Sequence, residues 1–281
     1  MESINRNRPS DSIQRQAELS NLIGKTEESV ATGKSFTRPS EAPSKWLEIS
    51  SIGRKVTIEN SWLNNIGRAG IIAQQAEDSL EKISSGAIRA KELVILANNG
   101  TLAPADREVI AIELESIRDQ FTQLTQAQDG YGGKLFHPGD PVQMRIDTSV
   151  LVTPSPNFQT VAQSIDIGAG TSDLDTIMNE MITAVRSGTT AERSTQLDRA
   201  NSLVGHFSSL VANQGLLVNR LDQQENRLQL SQLASTERRS SLENTDLPEA
   251  ISRFKALLVN LEAAQRLYAQ SNNTSLIQLI G

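Results

Sequence analysis

In AQQAEDSLEKISSGAIRAKELVILANNG, Ala73 to Gly100, apolar residues return at a fixed rhythm. Ala73, Ala76, Leu80, Ile83, Ala87, Ala90, Val94 and Ala97 are separated by alternating steps of three and four. That spacing keeps one stripe of a helix apolar and leaves the rest polar, as in a coiled-coil seam. Upstream, Ile49, Ile52, Val56, Leu63 and Ile66 continue the seam. Glu59 and Gly70 interrupt it, and its phase slips by one residue between Ala73 and Ala76. The pattern predicts one helix over most of Ser44 to Asn98, about 80 Å long at the usual rise per residue.

Asn99-Gly100 stops this run, and Thr101, Pro104 and Asp106 supply start signals for another. Ile110, Leu114, Ile117, Phe121 and Leu124 give the next helix its stripe, and DGYGG, residues 129–133, ends it. Between Lys134 and Ile167 the period changes. Val142, Met144 and Ile146 alternate with polar residues among several prolines, which predicts a short β-hairpin or small sheet. A compact helix is expected from about Ser172 to Arg186. A second very long one follows from Thr190 to about Leu242, with a seam of Leu203, Phe207, Leu210, Leu217, Leu221 and Leu228. Gln214 and Gln224 sit at intervening positions of that seam. Two long helices of matched length with complementary seams most simply lie antiparallel.

The chain ends carry helices of their own. Ser12 to Ala31 has Ile13, Ala17, Leu19, Leu22, Ile23 and Val30 as apolar members. Asp246-Leu-Pro-Glu249 reads as a capping box opening a last helix that carries Phe254, Leu257, Leu261 and Tyr268. The connector ATGKSFTRPSEAPSKWLEIS, Ala31 to Ser50, joins the first helix to the first long one. Gly33 is placed to end one helix and Ser44 to cap the next, while Pro39 and Pro43 exclude helix between them. On spacing alone it is an ordinary connector. The expected fold is therefore mainly α: an elongated antiparallel long-helix bundle or coiled coil with a small β-hairpin insertion and terminal helices. Residues 1–44 with 244–281 would form a terminal helical region. Residues 45–243 would form a rod-like helical domain with a small β-containing insertion at 134–170.

Composition narrows the function. Of 281 residues 37% are hydrophobic and only 4% aromatic, which suits narrow helical seams better than a thick core. A net charge of −6 disfavours a nucleic-acid-binding surface. With no cysteine, disulfides and thiolate metal sites are excluded. No apolar run is long enough for membrane insertion, and MESINRNRPSDS lacks the apolar core of a secretory signal. Any route out of the cytoplasm would need no cleaved signal.

Catalytic patterns are missing. His137 lies in a Pro-Gly loop and His206 on the second long helix, neither in a ligand-spaced cluster. No serine occupies a Gly-x-Ser-x-Gly elbow, and GAGTS, Gly168 to Ser172, reads as a turn and helix start. Glu113 and Glu115 point to different sides of their helix. No enzyme activity, metal or cofactor is expected. Packing is the default role for Trp46 and Trp62, while an exposed tryptophan near a junction could anchor a partner. SLIQLI, Ser275 to Ile280, places Leu276, Ile277, Leu279 and Ile280 almost at the terminus. Such end stripes either dock on the protein's own body or bury themselves only on assembly.

Three segments together resemble the bacterial flagellin superfamily across nearly the whole chain. ATGKSFTRPSEAPSKW, Ala31 to Trp46, looks like its Gly-Lys and Pro-Ser-acidic turn. AIRAKELVILANNGTLAPADREVIAIELESIRDQ, Ala87 to Gln120, looks like its Asn-Gly-Thr turn between helices. LENTDLPEAISRFKALLVNLEAAQRLYAQSNNTSLIQLIG, Leu242 to Gly281, looks like its C-terminal signature. The turn containing Arg38, Pro39, Ser40, Glu41 and Pro43 is closer to the hook–filament junction branch than to filament flagellins. MESINRN is similar to the opening of the latter, and Glu41-Ala42 departs from the usual acidic pair.

The resemblance implies a structural subunit exported unfolded by the flagellar type III apparatus, without a cleaved signal, into the extracellular flagellum. Its assembly interface would comprise Ile13, Leu19, Leu22 and Ile23 of the first helix. From the last helix it would take Leu257, Leu261, Tyr268, Leu276, Ile277, Leu279 and Ile280. Gly33, Arg38, Pro39, Ser40, Glu41 and Pro43 would form a spoke turn. Implied partners are copies of itself, neighbouring hook-associated protein and flagellin subunits, and room is left for an export chaperone. The alternatives are a short filament flagellin and a cytoplasmic coiled-coil adaptor, the latter with ordered termini.

Overall fold

The computed structural model describes residues 9–168 and 170–280, with side-chain surroundings described over 13–168 and 170–270. The MESINRN opening lies outside the described residues. The protein is mainly α, with six α-helices among these residues: α1 Pro9–Thr32, α2 Pro43–Ala97, α3 Pro104–Thr125, α4 Leu174–Ser187, α5 Thr190–Glu243 and α6 Leu247–Ile280. Two compact units partition the chain, one of Met1–Val56 with Gln232–Gly281 and one of Thr57–Ser231.

Within Thr57–Ser231, α2 and α5 run antiparallel. Gln214 donates to the Ala73 carbonyl at 3.0 Å, and Ser231 donates to Glu59 at 2.7 Å, so one helix ascends as the other descends. The heptad residues from Ala76 to Ala97 are buried, as the three-four rhythm requires. They form one core with Ile110, Leu114, Ile117 and Phe121 of α3, Ile177, Met181 and Val185 of α4, and Leu203 and Phe207 of α5. Gly86 sits where α3 presses closest. A Cβ there would lie 2.5 Å from the Phe121 ring, so this position admits no side chain without displacing that ring.

The outer sides of these helices are joined by ion pairs. Glu113 meets Arg89 of α2 at 2.8 Å, while Arg186 of α4 bridges Glu108 at 2.8 Å and Glu115 at 3.1 Å. Glu113 and Glu115 thus face different neighbours, as their spacing predicts.

Among the described residues the strands form two antiparallel hairpins, each smaller than the alternating residues suggest. Strand β1 Met144–Arg145 pairs with β2 Leu151–Val152 in the register Met144↔Val152 and Arg145↔Leu151. A second hairpin pairs β3 Ile165–Asp166 with β4 Thr171–Ser172. Its turn holds Gly168 at φ 80° and Gly170 at φ 128°, values open to glycine. GAGTS is therefore mostly hairpin, and α4 begins two residues later than Ser172. Its cap is Asp173, whose carboxylate accepts from the Thr176 amide at 2.8 Å.

The insertion accounts for the polar residues Gln214 and Gln224 in the second long seam. Ile146 and Val152 form a second core with Ile66, Ala69 and Ala73 of α2 and Leu221 and Leu228 of α5. Small residues on α2 make room for the hairpin. Gln214, buried, also donates to the Pro154 carbonyl at 2.7 Å, and Gln224 donates to Asp147 at 3.0 Å. Asn65 reaches the Arg145 carbonyl at 2.8 Å. Polar seam residues here fasten the insertion, so its buried carbonyls keep their donors.

Candidate assembly surfaces

The unit Met1–Val56 with Gln232–Gly281 holds the residues that the sequence singles out. α1 and α6 pack along each other, and the breakers that precede and follow the long helices are stitched together. Ser35 donates its amide to the Glu243 carbonyl at 2.7 Å, and Thr245 donates to the Gly33 carbonyl at 2.9 Å. Ser29 and Thr245 share a hydroxyl–hydroxyl bond of 2.8 Å. Gly33 takes φ 68°, the left-handed value its sequence position calls for after α1. This two-sided closure has no signal in either segment alone.

Beyond it, the chain turns at Arg38–Glu41, with the Glu41 amide donating to the Arg38 carbonyl at 3.1 Å. The Glu41 carboxylate accepts from the amides of Thr37 at 2.9 Å and Arg38 at 3.2 Å. These bonds, Thr37's above all, hold its pKa below the ordinary carboxylate value. Pro43 opens α2, where its missing amide is no loss. Ser44, expected as the cap, is instead inside the first turn. Phe36 is buried beneath Trp46, ring edge to face with centroids 6.4 Å apart. Trp62 is half-buried against the second core of Thr57–Ser231.

The exposure of α1 and α6 sets them apart. Not one described side chain of either helix is buried. Leu19, Ile23, Leu257, Leu261 and Tyr268 are half-buried, whereas Ile13 at 54% and Leu22 at 42% are exposed. Leu276, Ile277, Leu279 and Ile280 lie within α6 but outside the residues whose side chains are described. Further exposed apolar residues on α6 were not singled out from the sequence: Ile251, Leu258, Val259 at 64% and Leu267 at 67%. The signal was available, because apolar residues there fill more than one helical stripe, and a helix apolar around much of its girth is built to be covered.

Among the described residues, each of the two histidines bonds to the backbone. His206 donates from Nε2 to the Thr160 carbonyl at 3.0 Å, and burial pushes its pKa below the ordinary value. His137 accepts from the Gly139 amide at 3.2 Å. Among the described residues no group of three His, Cys, Asp or Glu is placed to hold a metal, and no helix is long and apolar enough to cross a membrane.

Comparison with known proteins agrees with this helical layout. A profile of the bacterial flagellin N-terminal helical region matches residues 4–138, and one of the bacterial flagellin C-terminal helical region matches residues 189–280. The chain is 21% identical to a flagellar hook-associated protein 3 of Escherichia coli, over 90% of this chain and 91% of that one. It is 28% identical to the flagellar filament 41 kDa core protein of Borreliella burgdorferi, over 38% of this chain and 32% of that one. Among solved structures, a flagellar hook-associated protein of Vibrio parahaemolyticus superposes with a TM-score of 0.64 at 18% identity, over 73% of this chain and all of that one. A hook-associated protein-3 of Legionella pneumophila gives 0.62 at 14% identity, over 69% and 98%. With both helical regions matched in order at the two ends, the chain belongs to the bacterial flagellin family.

Proposed function

We propose that this chain is a structural subunit of the bacterial flagellum at the hook–filament junction, without catalysis. It joins the axial structure by self-association through α1 and α6 after type III export, with no cleaved signal. The terminal assembly region is residues 1–44 with 244–281, and its interface is the apolar set from Ile13 to Ile23 and from Leu257 to Ile280. Residues 45–243 then form the body it anchors, with Gly33 and the Arg38–Pro43 turn as the spoke. The observation that carries this reading is the lack of any buried side chain among the described residues of α1 and α6. Helices with apolar stripes gain little by remaining solvated, so their stability is completed by other copies. Hook-associated protein and flagellin subunits are the neighbours this implies, with an export chaperone as an earlier partner.

A short filament flagellin is the second reading, supported by the Borreliella filament protein. That match spans 38% of this chain, against 90% for the Escherichia coli hook-associated protein, which favours the junction. Immunogold labelling separates them: one spot near the hook fits the junction subunit, and gold along the filament overturns it. Removal of Leu276–Gly281 is expected to abolish incorporation while leaving far-ultraviolet circular dichroism nearly unchanged. Wild-type motility with that deletion would sink the assembly role.

A further inference from the structure

A basic hollow lies beside the stitched breakers. It is a cavity of ≈ 790 Å³ with Lys25, Lys34, Arg38 and Lys45 on its walls and buried Phe36 among its lining. Its two carboxylates, Glu28 and Glu41, offset part of that charge, Glu41 through its attraction to Arg38 and Lys25. Glu41 accepts from two backbone amides, and Glu28 accepts from the Thr37 hydroxyl at 3.0 Å. Lys34 pairs with Glu243 at 3.8 Å. Lys25, Arg38 and Lys45 make no ion pair among the described residues, and Lys45 Nζ stands 5.8 Å over the Phe36 ring. Four cations against two carboxylates leave the concavity net positive, which raises the local potential and favours a negatively charged occupant.

Unit Thr57–Ser231 carries the opposite feature. Glu77, Asp78 and Glu81 occupy one face of α2, adjacent at helical spacing. The Gln74 amide donates to Glu77 and Asp78 at 3.3 Å each, and among the described residues no cation forms an ion pair with any of the three. A three-carboxylate strip and a net-positive hollow on the same chain are complementary surfaces.

We propose that the hollow of Lys25, Arg38 and Lys45 receives the Glu77–Asp78–Glu81 strip of a second copy of this chain. The contact joins unlike surfaces, so it is head-to-tail, and such contacts generate rings or helical rows instead of closed pairs. This rests on the self-association proposed above. Its contribution is register and partner choice, because complementary charge steers encounter and rejects wrong alignments more than it adds affinity.

The test uses full-length chain in a mixture of isotopically heavy and light copies, assembled and then treated with a carbodiimide that links only carboxylates and amines in contact. Mass spectrometry is expected to find heavy–light peptides joining Lys25 or Lys45 to Glu77, Asp78 or Glu81. Their yield should fall as salt is raised, since screening length drops to about 10 Å at 0.1 M. The pair Lys25→Glu with Lys45→Glu should reduce association about fivefold or more, and adding Asp78→Lys with Glu81→Lys should restore it. Association that persists without these cross-links, or that ignores the reversals in variants with unchanged circular dichroism, overturns the proposal alone. Copies that fail to associate in any salt overturn the self-association reading beneath it, and the proposal with it.

Discussion

Helices α4 and α6 are made of similar material and end differently. α4 has 14 residues and buries seven of them: Leu174, Ile177, Met178, Met181, Ile182, Ala184 and Val185. α6 has 34 residues and buries none whose side chain is described. Both have apolar stripes, so amphipathic spacing alone does not confer burial. What differs is the company: α4 is covered by α3 and by the β3 end of the insertion, whereas α6 has α1. A stripe states what a helix can bury, and its neighbours decide whether the burial happens within one chain.

The widest contrast should appear in hydrogen exchange of the monomer. Amides of α2 between Ile66 and Ala97, packed in a full core, should exchange only on global opening, and those of α1 and α6 by local fraying. A protection ratio on the order of a thousandfold is expected, and limited proteolysis should trim both ends while sparing roughly Lys45 to Leu242. Equal protection in a dilute solution of single molecules would erase the distinction and favour a self-contained adaptor.

Point substitutions give the same contrast on a smaller scale. Phe121→Ala empties a site 2% exposed that touches Phe207 at 6.4 Å between centroids. Truncation there should cost about 3–5 kcal/mol by chemical denaturation. Leu257→Ala in the half-buried α6 seam should cost less than about 1 kcal/mol in the monomer yet lower incorporation into flagella. Comparable losses in monomer stability would mean that α6 is already completed by its own chain.

Between these lies Gln214→Leu. The variant keeps volume near the second core but removes both donors to the Ala73 and Pro154 carbonyls. Leaving those groups without their partner should cost about 1–3 kcal/mol, read as a lower denaturation midpoint. A neutral result would show that the insertion does not depend on Gln214 for its hold.

These positions also mark how far the residues spoke for the structure. The three-four rhythm places the ends of α2 within a residue, because a seam running through many turns has only one helical phase that hides it. The proline and glycine signals similarly bracket α3. Ser44 misled, since proline at a first helical position competes with serine at a cap and both sat side by side. Strands of two residues, such as Thr171–Ser172, carry no alternation to find. Gln214, Gly86 and Glu59 look like defects in isolation. Each makes sense only against a partner far away in sequence: Pro154, Phe121 and Ser231. The same holds for α6, where the spacing marks one stripe and the exposed Leu258, Val259 and Leu267 lie beside it.

The smallest expected effect sharpens the comparison from inside the well-packed unit. His206 is half-buried, edge-on to Phe207 at 5.2 Å, and donates to the Thr160 carbonyl in the π-helical turn Gln159–Gln163. Desolvation is the largest influence on it and disfavours the imidazolium, while the backbone contacts at Thr160 and Val161 oppose that shift without reversing it. Its folded pKa therefore lies below the ordinary 6.5 that holds in the unfolded chain. Above about 6.5 both states are neutral and the packing is fully available. As pH falls through that value the unfolded chain takes up the proton first, so stability is lost until the folded pKa is passed. His206→Gln keeps an amide donor for the Thr160 carbonyl and removes the titration. Denaturation midpoints between pH 8 and pH 5 should therefore decline more steeply for the parent than for the variant, with those pH limits set roughly by the ordinary histidine range. Because α1 and α6 contain no histidine, any pH-dependent loss of the same size in exchange at the termini would have to come from carboxylates, and would place the sensitivity in the wrong unit.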